Sequence, residues 1–206
     1  MKIEMPNIGH RNAVPFEGIA MFIDTPLDGK IHWTSSETKQ VVESPNDAPK
    51  LVYRREACER ALPSFLGMGI SAQEGSLENH AFRSKVGIIT EAWIEGNTVM
   101  VRGFIYGVDY PDMVDAIKHL RTKLGMCVKF ADMVGEWPTE LKPEFGYITD
   151  FLVTGVAILH RTKCGFSGTT VRILPQSYKW ACAESGCPHF MNGEVQGFCS
   201  EHQPKR

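Results

Sequence analysis

Cysteine and histidine are the side chains of this 206-residue chain best suited to metal binding and nucleophilic attack, and they occur in two settings. Near the C-terminus Cys182 and Cys187 enclose four residues, Cys199 and His202 enclose two, and eleven lie between the pairs. Zinc takes four soft or borderline ligands in a tetrahedron, and two short loops joined by a hairpin can supply them without an apolar core. Gly186 and Pro188 suit a tight turn at the second ligand, and Gly193 and Gly197 allow a sharp return. The spacing therefore predicts a structural Zn2+ held by Cys182, Cys187, Cys199 and His202. With all four positions filled, none is open for a catalytic water. The alternative is four unliganded side chains in a tail, but few apolar residues there could order the segment without a metal.

The remaining cysteines, Cys58, Cys127 and Cys164, scatter through the body of the chain. A thiol becomes a nucleophile as the thiolate, which a histidine within hydrogen-bond reach can generate near neutral pH. Cys127 falls on a strand expected to follow an amphipathic helix, and His80 falls just before a central hairpin, so adjacent strands could bring the two together. Spacing alone does not establish the pair, because a lone cysteine on a strand is ordinarily a small core residue.

The elements that must position these groups are legible in outline. Residues 86–94 and 98–106 are apolar and β-branched and flank Glu95-Gly96-Asn97, strong hairpin punctuation. Asp109 and Pro111 predict a helix start, with Asp109 as the capping side chain. Met113, Val114, Ile117, Leu120 and Leu124 then recur at helical spacing, and Gly125 is expected to end the helix. Strands are expected at 16–23, 126–130, 147–159 and 169–173, a short helix over 54–62 clipped at Pro63, and a long surface loop over 25–50. The pattern predicts an α+β fold, a β-rich mixed barrel with one or two flanking helices. The domain bounds expected are 1–176 for the barrel and 177–206 for the zinc knuckle.

Composition bounds the function. With 43% hydrophobic and 22% charged residues the chain has the composition of a globular protein, long enough to bury a sizeable core. A formal net charge of −2 provides no global attraction to nucleic acid or anionic lipid. The longest apolar run, 151–159, is broken by Thr154 and Gly155 and is far short of the roughly 20 residues of a membrane helix. The N-terminal residues lack the apolar stretch of a signal peptide, so a cytoplasmic location is expected, where the six cysteines stay reduced. In the tail, Lys179, Lys205 and Arg206 are offset by Glu184, Glu194 and Glu201, which leaves no basic stripe for phosphates.

His80, Val86-Gly87, the hairpin, the helix and then Leu124-Gly125-Met126-Cys127-Val128-Lys129-Phe130 follow in an order that resembles the phage prohead proteases, capsid-maturation enzymes sharing a fold with herpesvirus assemblin. The resemblance spans about residues 16–173 and rests on short motifs. It implies that His80 is the general base and Cys127 the nucleophile, sulfur standing where the family carries serine. The family's third member falls on Gly155 of Gly155-Val156-Ala157-Ile158-Leu159, which has no side chain to orient His80. Asp150 is the best charged neighbour for that role, and a solvated residue at a strand start is an equal alternative for it. The last 25 or so residues resemble the zinc knuckles of many phage proteins, including those flanking HNH nucleases.

Two functions follow. The resemblance implies an endopeptidase that cuts scaffold or coat protein inside assembling proheads in the host cytoplasm, a homo-oligomer being compatible with it. The other is a non-catalytic structural or assembly protein on the same fold, docking through its zinc knuckle.

Overall fold

The computed structural model describes residues 2–4, 12–28, 32–34, 41–43, 50–72, 84–136, 144–175, 179–181 and 190–192. The chain divides into two compact units, Met1–Leu174 and Pro175–Arg206. In the first, the strands are β1 (Lys2–Glu4), β2 (Ala13–Phe22), β3 (His32–Thr34), β4 (Val41–Glu43), β5 (Lys50–Tyr53), β6 (Gly69–Ser71), β7 (Lys85–Glu95), β8 (Thr98–Tyr106), β9 (Leu124–Glu136), β10 (Phe145–His160) and β11 (Arg172–Ile173). Its helices are α1 (Arg55–Ala61) and α2 (Pro111–Leu120). In the second unit β12 (Lys179–Ala181) pairs antiparallel with β13 (Phe190–Asn192).

The fold is α+β and strand-rich, built on one large mixed sheet ordered β11-β2-β8-β7-β6-β10-β5, with β1 on β7 and β9 on the other edge of β10. The β7–β8 hairpin turns at Gly96, whose φ of 58° suits a residue without a Cβ. Val99, Val101 and Ile105 alternate inward along β8 with half-buried residues between them, the period-two pattern of a strand with one buried face. The curled sheet and both helices enclose a single core in which Phe16, Tyr53, Phe65, Ile70, Ile105 and Phe151 are almost wholly buried.

Closure into a barrel, expected from the strand count, does not occur. Among the described residues, the ends of the sheet are linked by an isolated Pro26–Val52 bridge and by a loop, without a continuous ladder. The loop residues are Thr169 and Thr170. Thr169 Oγ1 accepts from the Met126 amide of β9 at 3.1 Å, and Thr170 Oγ1 accepts from the Ile19 amide of β2 at 3.1 Å. The Thr170 amide also donates to the Ile19 carbonyl at 3.2 Å. Gly18 permits this approach, since a Cβ there would stand 2.1 Å from the Thr170 carbonyl oxygen. Side chains and a loop thus fill the seam where a barrel would carry backbone ladder bonds.

Three local expectations are also corrected. Asp109 accepts from Asn12 Nδ2 at 2.5 Å and does not cap α2, whose N-cap is Tyr110 without a side-chain bond. Gly125 does not stop that helix, which ends at Leu120; it lies in β9, where a Cβ would come within 2.4 Å of Thr169 Oγ1. Part of the expected 25–50 loop is the β3–β4 ladder, Trp33 pairing with Val42. No helix among the described residues is long and apolar enough to cross a membrane.

Candidate active site

Strand β10 organises the neighbourhood of Cys127. Ala157 is the register partner of Cys127 in antiparallel β9 on one side and of Ser71 in parallel β6 on the other. Ser71 in turn pairs with Lys85 of β7. Directly paired residues project from the same sheet face, so Cys127, Ala157, Ser71 and Lys85 form one row across four strands. Their alternating neighbours Met126, Ile158 and Ile70 enter the main core, which assigns the row to the opposite face.

The phase of that face comes from an irregularity. Pairing of β10 with β9 shifts between Val153 and Gly155, and the buried positions change from Phe151 and Val153 before it to Val156 and Ile158 after it. An inserted residue flips every later side chain to the other face, which places Ala157 on the face away from the main core, in the smaller cluster with Leu159 and Cys164. Gly155 and Ala157 then form a strip of small, largely buried residues between Lys129 and Cys127 on one side and Ser71 and Lys85 on the other. A recess of about 160 Å3 occupies that strip, lined also by Thr154 and Val156. Among the described residues that line it none is a carboxylate, and two are lysines, Lys85 and Lys129.

Cys127 is half-buried and packs against a second small cluster of Ala157, Leu159 and Cys164. Burial pushes its thiol above the usual range, and a hydrogen bond from the Gly165 backbone opposes that in part. The resting group is therefore the neutral thiol. Opposite it, the Lys85 ammonium donates to Ser71 Oγ at 2.8 Å. The lysine stem lies over Gly69, where a Cβ would stand 3.0 Å from Lys85 Cδ.

Asp150 is not brought to this recess. It lies on β10 seven residues before Ala157, about 23 Å along an extended strand, and pairs with Arg60 at 3.5 Å. Its distance has a plain cause: the role expected of it depends on tertiary proximity, and a strand carries residues away from one another at the greatest rate per residue. His80 and the four zinc positions, Cys182, Cys187, Cys199 and His202, lie outside the described residues. Among the described residues no group of three or more His, Cys, Asp or Glu comes together. Ser71 and Lys85 were not legible as site residues in the sequence. The small residues Gly155 and Ala157 at alternate positions were the available signal of a recess along this face. No family model, curated protein or solved structure matches the chain.

Proposed function

We propose that this protein is a capsid-maturation endopeptidase with Cys127 as nucleophile and His80 as general base, acting on scaffold or coat protein in assembling proheads within the host cytoplasm. One observation supports it above the others. Cys127 lines a recess whose opposite side is formed by Ser71 and Lys85, and these two residues bracket the segment of chain that carries His80. Five residues of chain span at most about 18 Å, so covalent connection alone limits how far His80 can be from Lys85.

In this reading His80 takes the thiol proton as the Cys127 sulfur attacks the scissile carbonyl carbon, and the carbonyl electron pair moves to oxygen. Collapse breaks the C–N bond, and the leaving amine takes the proton from the imidazolium. Water, deprotonated by His80, then attacks the thioester, releasing the acid and restoring the thiol. Because burial raises the thiol, the proton leaves during attack and not from a resting ion pair. Zn2+ on Cys182, Cys187, Cys199 and His202 would order the C-terminal unit and take no part in these steps.

The test is incubation of the purified chain with its virion's scaffold and coat proteins, read by mass spectrometry of the products. Defined fragments are expected from the wild type and from neither Cys127→Ala nor His80→Ala. Fragments that persist in Cys127→Ala would sink the assignment. A second reading is favoured by the raised thiol and by Gly155 at the third position: an inert assembly component on this fold, docking through its zinc-bound unit. It predicts no fragments from any form and binding of coat or scaffold protein that is lost on metal removal.

A further inference from the structure

The Cys127 recess has a second reactive side that the nucleophile assignment does not use. Ser71 is 2% exposed, yet its hydroxyl lines the recess and accepts from the Lys85 ammonium at 2.8 Å. An exposed lysine ordinarily samples many rotamers, so a defined position needs a cause. Two are present. Ser71 Oγ fixes the head, and Gly69 clears the space the stem occupies. The ammonium of this exposed lysine is thereby held at the mouth of the recess.

Scale decides what could lie between the two sides. Neighbouring strands are about 4.8 Å apart, so Ser71 and Cys127, one strand to each side of Ala157, have Cα atoms about 10 Å apart. Attack of sulfur on a carbonyl spans about 3.3 Å, the C=O bond about 1.2 Å and a charge-assisted hydrogen bond about 2.8 Å, together roughly 7 Å. That length is of the order available between side chains carried on Cα atoms about 10 Å apart. Among the described residues, those lining the recess include no carboxylate that would compete for the ammonium.

We propose that Lys85, positioned by Ser71 and by the space at Gly69, is the residue that holds the oxyanion formed when Cys127 attacks an acyl carbon. This rests on the reading of Cys127 as an acyl-transfer nucleophile. As the carbonyl pair moves to oxygen, the full negative charge forms against a cation already in place, so stabilisation grows from ground state to transition state. Lys85 is the catalytic group and Ser71 the positioning one. The Ser71 hydroxyl keeps its own proton throughout.

The test compares alkylation of Cys127 by iodoacetate, an anion, with alkylation by neutral iodoacetamide, in the full chain at low salt, followed by peptide mass spectrometry. A fixed cation across the recess should raise the iodoacetate-to-iodoacetamide rate ratio, and Lys85→Met should lower that ratio about three- to tenfold. Lys85→Arg, which keeps the charge and controls for folding, should retain most of it, while Ser71→Ala and Gly69→Ala should each lower it in part. A ratio unchanged in Lys85→Met overturns the proposal whatever the hydrolysis assay reports. A lowered ratio together with loss of hydrolysis supports it in full. A lowered ratio in a wild type that hydrolyses nothing supports the anion site and overturns the peptidase reading.

Discussion

Glu17 and Arg102 face each other across β2 and β8 as register partners, with the guanidinium Nη2 donating to Glu17 Oε2 at 2.6 Å. The arrangement extends in both directions. Arg172 of β11 donates to Glu17 Oε1 at 2.7 Å, and Arg102 Nη1 donates to Glu91 of β7 at 3.3 Å. Arg102 also lies 5.4 Å from the centre of the Trp93 ring. A row of alternating charge thus ties four strands together on the side of the sheet away from the Cys127 recess in strand order.

This row carries a pH dependence. Burial disfavours the Glu17 carboxylate, but the hydrogen bonds and charges of Arg172 and Arg102 outweigh it and hold its pKa below the ordinary value. A carboxyl depressed in the folded state contributes stability that is complete above the unfolded pKa, about 4.3, and is lost as pH falls through the folded one. Glu17→Gln is expected to cost about 1–3 kcal/mol at pH 7, since the partners are part-exposed. In urea melts the gap between wild type and Glu17→Gln should narrow below about pH 4. A gap independent of pH would show that the row contributes nothing electrostatic.

The seam at Thr169 should be equally sensitive for a different reason. Its hydroxyl is fully buried, accepts from the Met126 amide and donates to the Phe166 carbonyl at 3.0 Å. Thr169→Val keeps the volume but strands the Met126 amide, while the Phe166 carbonyl still accepts from the Thr169 backbone amide at 3.3 Å, and a loss of about 1–3 kcal/mol is expected. Hydrogen exchange should then quicken at the Met126 amide before it does in the β7–β8 hairpin.

Thiol labelling should separate the cysteines of the first unit. Burial is the main cause that pushes Cys58 and Cys164 up to about 12, and both are nearly inaccessible. Cys127 is half-buried and borders the recess, so it should label first at pH 8 with a small maleimide, ahead of the other two by at least about tenfold. Uniform labelling of all three would mean that the recess is closed to reagents.

Asp150 offers a check on the machinery. Its carboxylate faces Arg60, whose Nη2 also donates to the Thr149 carbonyl, on an exposed stretch far along β10 from Ala157. Asp150→Asn should leave peptide cleavage within about twofold of wild type and cost under about 1 kcal/mol in stability. A hundredfold loss of cleavage would instead bring Asp150 into the reaction.

Metal content tests the tail. The ligand spacing predicts one zinc per chain by elemental analysis, lost in Cys182→Ser and on treatment with a strong chelator at low pH, where thiolates are protonated. The melting of the first unit, followed at its own aromatic residues, should change little. A metal-free protein whose three tail thiols and His202 all titrate freely would remove zinc from the account.

Local chemistry was read well where one residue type admits few alternatives. The turn at Gly96, the first-turn proline of α2 and the two strands of the central hairpin depend on neighbours in sequence, and they stand where the pattern put them. Pro63 was read too simply. A proline ends α1, but it sits in the first turn of a 3-10 segment, Leu62–Phe65, which needs no amide from it. Gly125 and Asp109 were misread because each serves a distant partner, Thr169 and Asn12, that no local window contains.

By itself the sequence determined the long central strands, where the central hairpin turns, and that its cysteines fall in two groups, because these follow from backbone sterics and from spacing along the chain; the short strands within 2–4, 32–34, 41–43 and 50–53 were not among those it marked. Only the tertiary structure decided that the sheet stays open at Thr169 and Thr170, that a shifted register before Gly155 places Ala157 on the face away from the main core, and that Ser71 and Lys85 share a recess with Cys127. Those outcomes depend on pairing between strands that lie 56 residues apart from Ser71 to Cys127, and a ladder register is set by the packing of whole faces against one core.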